Sequence, residues 1–420
     1  MGFASTWLDK RALFPEFIKQ APDEETGIIV IVPAFCEPGI TDLLNSLASC
    51  DEPDCKTEVI IVVNSPANEN EECIRINELC VMNIESWREK HSDCFFRLFA
   101  VNIIPTSLSG WGVGLARKTG MDEAVRRFDM IGKPEGVIVN LDADCQVAKN
   151  YFVSLNNELL KRSDRTGCSV YFEHPLSGSS YSFNVYNYIT WYELHLRYFL
   201  QGIKYSGFPY AFQTVGSAFA VKALQYIKAG GMNRRQAGED FYFIQKLIPE
   251  DGYFSLRSTT VYPSPRESFR VPFGTGATIQ KLTDGNPDSF VTYNVKAFKE
   301  LHLFFETISL YYNCSDAELE KNYNCFPRGL RSFVDFQELK EKILEIKRNT
   351  SGLGSFKKRF FGWFNLFKIV KYLNRVHEDI FEKVPVNEGA HELLHIIGVD
   401  FNSKESSDLL KYYRSMEKDS

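Results

Sequence analysis

The chain has 420 residues, 44% of them hydrophobic, and a formal net charge of −6. That length can bury a large core and points to two domains, while the acidic balance argues against a polyanion-binding surface, so nucleic acid is not an expected partner. Ten cysteines at irregular spacing lack a paired Cys-x-x-Cys motif, no apolar run nears the roughly 20 residues that span a bilayer, and no signal peptide is read; the expectation is a reduced, cytoplasmic protein.

Residues 1–25 read as an N-terminal arm. Gly27-Ile28-Ile29-Val30-Ile31-Val32-Pro33 is a β-branched run that ends in the turn residues Ala34-Phe35-Cys36-Glu37-Pro38, ahead of a helical stretch from Ile40 to Ala48. Val59-Ile60-Ile61-Val62-Val63 stops at Asn64-Ser65-Pro66, and a helix-compatible stretch runs from Glu71 to Lys90. Ser109 to Lys118 is a glycine-rich approach to a helix that continues to Phe128; its spacing is not G-x-G-x-x-G, which argues against a dinucleotide fold. The apolar run Gly136–Leu141 then delivers Asp142-Ala143-Asp144 to the end of a buried strand. Strands alternating with helices predict a parallel, doubly wound sheet, which places its chemistry at such strand ends.

Carboxylates at i and i+2 on a chain leaving a strand can converge on one hard cation, Mg²⁺ or Mn²⁺, that also holds phosphate oxygens. Arg117 and Lys118 either reach a diphosphate or line a solvated helix face. Further on, Gly216–Ala220 reads as a strand, Lys222 to Lys228 as a helix leaving by Gly230-Gly231, and Gly238-Glu239-Asp240 precedes a helix from Phe241 to Leu247. The Pro- and Gly-rich stretch 263–276 carries Arg266 and Arg270 and is either a connector or a loop that closes over phosphates.

Taken in order, Val32–Pro38, the strand ending at Asn64, Asp142-Ala143-Asp144, Ala229–Met232 and Gly238–Phe241 resemble the family 2 glycosyltransferases of the GT-A fold, over residues 26–275. The resemblance implies an α/β, GT-A (Rossmann-like) mixed sheet sandwiched by helices. It implies inverting transfer of a sugar from a nucleoside diphosphate sugar donor to the hydroxyl of a glycan or lipid-linked acceptor, in cell-surface glycan or glycolipid synthesis. In that pattern Asp144 holds Mn²⁺ or Mg²⁺, with Asp142 in support through water or the nucleotide ribose. Asp240 matches the catalytic base, and Glu239 contacts the acceptor or braces the loop. Pro33, Ala34 and Glu37 match the loop that holds base and ribose. Asn64 departs from the Asp that many members use to read the base; an amide offers both a donor and an acceptor, so the identity of the base does not carry over. None of the five Trp residues follows an Arg, so the Gln-x-x-Arg-Trp signature of processive members is absent, which favours transfer of a single sugar.

Beyond about residue 275 the pattern turns helical, with stretches at 295–312, 317–321, 334–348, 356–383 and 388–397, and a helical C-terminal domain is expected over 276–420. The basic, aromatic stretch 357–373 either packs its rings into a core or makes a peripheral contact with the inner face of a membrane. The aromatics from Tyr181 to Phe212 are core residues or an acceptor groove. Two other functions stand as alternatives: a catalytically inactive nucleotide-sugar-binding module, and a zinc metalloprotease through His391 and His395, spaced i and i+4 with Glu392 in the general-base position.

Overall fold

The computed structural model describes residues 2–66, 69–103, 112–234, 238–268, 274–285 and 287–419. The chain divides into two compact units, one of residues 1–181 with 212–280 and the other of residues 182–211 with 281–420. Residues 2–25 therefore group with the first unit. Residues 182–211, placed by the sequence reading inside 26–275, group with the C-terminal helices.

In chain order the first part contains α1 (Ser5–Arg11), β1 (Thr26–Ala34), α2 (Ile40–Ala48), β2 (Lys56–Asn64), α3 (Glu71–Lys90), β3 (Phe96–Ile103), α4 (Val113–Met130), β4 (Val137–Asn140), β5 (Gln146–Val147), α5 (Tyr151–Leu155) and β6 (Gly167–Phe172). Next come α6 (Phe183–Tyr205), β7 (Phe219–Lys222), α7 (Ala223–Lys228), α8 (Glu239–Leu247), β8 (Tyr253–Tyr262) and α9 (Thr275–Gly285). All eight strands belong to one sheet of the first unit, in the order β3-β2-β1-β4-β7-β6-β8-β5.

The sheet is mixed, as the GT-A resemblance implies, and not wholly parallel as the alternation of strands and helices predicts, because β7 and β5 run against their neighbours. β3, β2, β1 and β4 are parallel, β7 runs antiparallel between β4 and β6, and β6 pairs parallel with β8. Consequently β1, β2, β4, β6 and β8 all end at one edge. β1 and β4 read as near-continuous apolar runs because every residue in them is buried, the usual condition of a central parallel strand. Each fully buried Val or Ile there contributes about 1.5–3 kcal/mol.

α4 lies against β1 and β2 at close range, and the closeness depends on Gly120, where a Cβ would meet Ile31 Cγ2 at 2.4 Å. A larger residue at 120 would push the helix off the sheet and move everything it carries. The same helix buries Arg127, which forks onto Glu58 of β2, one guanidinium nitrogen at 2.7 Å, and donates to the Gln20 carbonyl at 3.0 Å.

The second unit adds to α6 the elements β9 (Val291–Thr292), α10 (Val295–Glu306), α11 (Ile308–Tyr311), α12 (Asp316–Asn324), α13 (Arg328–Phe333), α14 (Phe336–Arg348), α15 (Leu353–Trp363), α16 (Leu366–Asp379), β10 (Val384–Pro385), α17 (Val386–Ile396) and α18 (Ser406–Asp419). β9 and β10 form a short antiparallel pair. The helix expected over 295–312 is interrupted at Thr307, whose backbone and hydroxyl both bond the Phe304 carbonyl. The helix expected over 356–383 is two helices, because Asn365 caps α16 by accepting from the Lys368 amide at 3.2 Å. Its aromatic face is core: Phe356, Phe360, Phe361 and Phe364 are buried, and Phe304 and Phe305 of α10 pack against the last three of them. Lys358 and Arg359 point to solvent. No helix among the described residues is long and apolar enough to cross a membrane.

Candidate active site

The site is assembled at the strand-end edge of the first unit. Ala34 closes β1 against Val63, one residue before Asn64 closes β2, and the Leu141 amide bonds Ile31, so Asp142 leaves β4 beside the end of β1. The chain then turns tightly, with the Cys145 amide on the Asp142 carbonyl at 3.1 Å, and this turn presents both Asp142 and Asp144. β5 follows at once and pairs Gln146 with Tyr262, the last residue of β8. That pairing brings the segment holding Arg266 next to Asp144.

Two guanidiniums organise the carboxylates. Arg117, near the start of α4 and only 4% exposed, donates through Nη2 to Asp142 Oδ1 at 2.5 Å and through Nη1 to Glu239 Oε1. Arg266 forks onto the buried Glu37, one bond being 2.8 Å, and its Nε stands 2.8 Å from Asp144 Oδ2. Glu239 and Asp240 do open α8, in the first turn where acidic residues suit the helix dipole, and they also converge on Arg117. Gly216 is the reason they fit: a Cβ there would lie 2.5 Å from Asp240 Oδ2 and 2.6 Å from Arg117 Nη1.

Electrostatics follow from this packing. Burial raises the Asp240 and Glu239 pKa values above the ordinary carboxylate range, and the Arg117 charge offsets only part of that rise. Burial alone would lower the Arg117 pKa; the charges of Asp142, Glu239 and Asp240 outweigh it, and Arg117 stays firmly protonated. Arg266 is held protonated in the same way by Glu37 and Asp144. Among the described residues, Asp142, Glu239 and Asp240 surround Arg117, and Glu37 and Asp144 flank Arg266. Two hard oxygen donors on one turn suit a divalent cation that keeps water and phosphate among its ligands, and such a cation would compete with the guanidiniums that now contact them. No group of three or more His, Cys, Asp or Glu that could hold a metal by itself occurs among the described residues.

The other residues singled out in sequence take varied places. Pro33 and Ala34 are buried in β1, paired with Val62 and Val63. Asn64 is buried, and its amide donates to the Gly112 carbonyl at 2.9 Å, fastening the start of the helix that bears Arg117. Lys118 is not brought to the carboxylate cluster; its ammonium pairs with Asp122 at 2.8 Å and lies over the Trp7 ring. Arg270 and residues 109–111 lie outside the described residues. Cys36, between Ala34 and Glu37, adopts a left-handed φ of 51° and donates its amide to Asn77 Oδ1, a strained position of the kind that collects at functional loops. His302 belongs to the second unit, bonded to the Tyr205 carbonyl. His391 directs Nε2 at the Phe401 carbonyl, 2.8 Å away, and His395 is exposed.

Sequence reading missed Gly216 as a space requirement and Arg117 as the link between Asp142 and the Glu239–Asp240 pair. The only local signal for the latter was an arginine at the head of a helix.

No protein-family model matches the chain, and no curated protein matches it in sequence. Solved structures do match. TarS 1–349 of S. aureus in complex with UDP-GlcNAc is 15% identical, over 76% of this chain and 89% of that one, with a TM-score of 0.41. The mannosyltransferase PcManGT of Pyrobaculum calidifontis, in complex with GDP-Man and Mn²⁺, is 13% identical over 99% and 92%, with a TM-score of 0.36. The glucosyl-3-phosphoglycerate synthase of Mycobacterium tuberculosis, with Mn²⁺, UDP and phosphoglyceric acid, is 14% identical over 58% and 76%, with a TM-score of 0.32. In its ordered motifs and its mixed α/β sheet, the chain resembles glycosyltransferases of the GT-A fold.

Proposed function

We propose that this chain is an inverting, metal-dependent glycosyltransferase that moves a single sugar from a nucleoside diphosphate sugar to the hydroxyl of a glycan or lipid-linked acceptor. The observation that carries the proposal is the buried Arg117, which ties Asp142 of the strand-end turn to Glu239 beside Asp240. It joins a carboxylate suited to the leaving diphosphate with one suited to the incoming hydroxyl.

Asp144 and Asp142 would hold Mn²⁺ or Mg²⁺, which when bound neutralises charge on the leaving diphosphate. Asp240 accepts the acceptor's proton as the hydroxyl oxygen forms its bond to the anomeric carbon; the bond from that carbon to the diphosphate oxygen breaks, and the nucleoside diphosphate leaves with the electron pair. A carboxylate with a raised pKa is a stronger base once ionised, which suits it to this step. Attack from the face opposite the leaving group inverts the anomeric centre. Glu239, fixed by Arg117, braces Asp240 in place. Pro33, Ala34, Glu37 and Asn64 lie at the ends of β1 and β2, where the base and ribose would sit, and Asn64 acts there in part by holding α4.

Thermal shifts across UDP-, GDP-, CDP- and dTDP-sugars with Mn²⁺, in wild type and Asp144→Ala, test the reading. A shift with one base that is lost in the variant is expected. No shift with any donor would overturn it. The anomeric configuration of the product, read by NMR, checks inversion.

A further inference from the structure

The net charge of −6 conceals one stretch of opposite sign: between Ile346 and His377 the chain places eight lysines and arginines and no aspartate or glutamate. Some of these cations are engaged within the second unit. Lys368 pairs with Glu338 and lies 4.0 Å over the Trp363 ring, and Arg375 pairs with Glu378 and Asp379 of its own helix. Lys357, Lys358 and Arg359, consecutive on α15, pair with no carboxylate among the described residues, and Lys358 and Arg359 are exposed. The packing of the helix is the cause. Phe356, Phe360 and Phe361 turn into the core, where the Tyr312 ring stands 5.6 Å from Phe356, so the positions between them face water. One turn before Lys357, the apolar Leu353 is 39% exposed beside the cations.

We propose that this face of α15 docks on an anionic lipid surface, with Lys357, Lys358 and Arg359 against the headgroups and Leu353 beside them. Charge complementarity selects this occupant. A protein partner needs a shaped contact built around buried aromatic anchors, and lysine is depleted from the centre of such interfaces. Here the aromatics are turned inward, and the exposed positions between the cations are Gly354, Ser355 and Gly362, none of which can fill a pocket. A lipid surface asks only for charge and for an approach that side chains do not obstruct. Because the rings are buried, the contact is electrostatic and reversible, and the helix lies on the surface without crossing it. The proposal stands apart from the activity proposed above, and its test uses neither donor nor metal.

The experiment is flotation of the full chain with vesicles of phosphatidylcholine alone and of phosphatidylcholine with an equal share of phosphatidylglycerol. It compares wild type with the triple variant Lys357→Gln/Lys358→Gln/Arg359→Gln. A control, Lys10→Gln/Lys228→Gln/Lys321→Gln, removes the same charge from exposed lysines elsewhere. Wild type is expected to float with the anionic vesicles, to stay behind with the neutral ones and to be released as salt is raised. Each cation near an anionic surface strengthens binding roughly fivefold, so the triple variant is expected to bind roughly 100-fold more weakly and the control to stay within about threefold of wild type. Lipid composition and salt test wild type by themselves if the triple variant does not fold. Equal flotation with both kinds of vesicle, flotation with neither, or a control that falls as far as the triple variant would overturn the proposal. Retention of wild type on poly-glutamate without flotation would overturn it too, and assign the face to an acidic protein partner.

Discussion

Arg197 of the second unit and Arg117 of the first are both almost completely buried among carboxylates, and the difference between their surroundings separates an ion network built between helices from one built at strand ends. Arg197 donates to Glu193 of its own helix α6 and to Glu417 of α18, each at 2.8 Å, and Arg414 of α18 forks back onto Glu193 at 2.8 and 2.7 Å. All four of these side chains stand on regular helices. Around Arg117 and Arg266, most of the carboxylates among the described residues stand on turns or helix starts at strand ends. Placement at strand ends, rather than burial, sets the candidate site apart.

The comparison can be broken at its strongest point with Asp240→Asn. Steady-state turnover is expected to fall by about 10²–10⁴-fold, the usual contribution of a positioned base, while the melting temperature stays close to that of wild type. A turnover within tenfold of wild type would remove Asp240 from the mechanism.

The two arginines themselves give the next contrast. Arg197→Gln leaves Glu193 and Glu417 short of a buried partner and should cost about 3–5 kcal/mol in denaturant unfolding, with kcat/KM unchanged where the protein is folded. Arg117→Gln should cost both stability and turnover, and should move the acid limb of the rate profile to higher pH, because the charge that holds the Asp240 pKa down is gone. If both variants lose stability alone, Arg117 is structural.

The smallest effect is one of sign in pH dependence. Burial first, and Lys383 second, push the His195 pKa down from 6.5 to about 4. Between those values the unfolded chain binds the proton and the folded chain does not, so this stability is complete above about pH 6.5 and is lost as pH falls toward 4, by at most about 3 kcal/mol. The Glu239–Asp240 pair behaves oppositely: its raised pKa values make the folded state the better proton acceptor, and its contribution to stability declines as pH rises through them. Unfolding curves at pH 7 and pH 5 should show a loss on acidification that His195→Gln reduces; an equal loss in that variant would assign it elsewhere.

Much of the first unit was legible before any coordinates. The runs at 27–33 and 59–63 and the apolar approach to Asp142 are strands because they are short, β-branched and stopped by Pro or Asn, and α2 and α3 begin and end where their patterns predicted. Less could be read elsewhere. The interrupted helices at Thr307 and Asn365 turn on single side-chain bonds that a period of 3.6 does not register. Arg117 and Lys118 were indistinguishable in sequence, yet one joins the carboxylate cluster and the other pairs with Asp122, four residues along its own helix.

By itself, then, the sequence determined what is local: which segments are strands, that two carboxylates leave β4 together, and that acidic residues open α8. Hydrophobic periodicity and turn chemistry act over a few residues and can be read directly. Tertiary structure decided the partners, because charges pair by distance in space: Asp142 lies 25 residues from Arg117, Glu239 lies 122 from it, and Glu37 lies 229 from Arg266. It also decided that α6 groups with the C-terminal helices, where its long face meets α17 and α18, a choice made by packing that no single helix encodes.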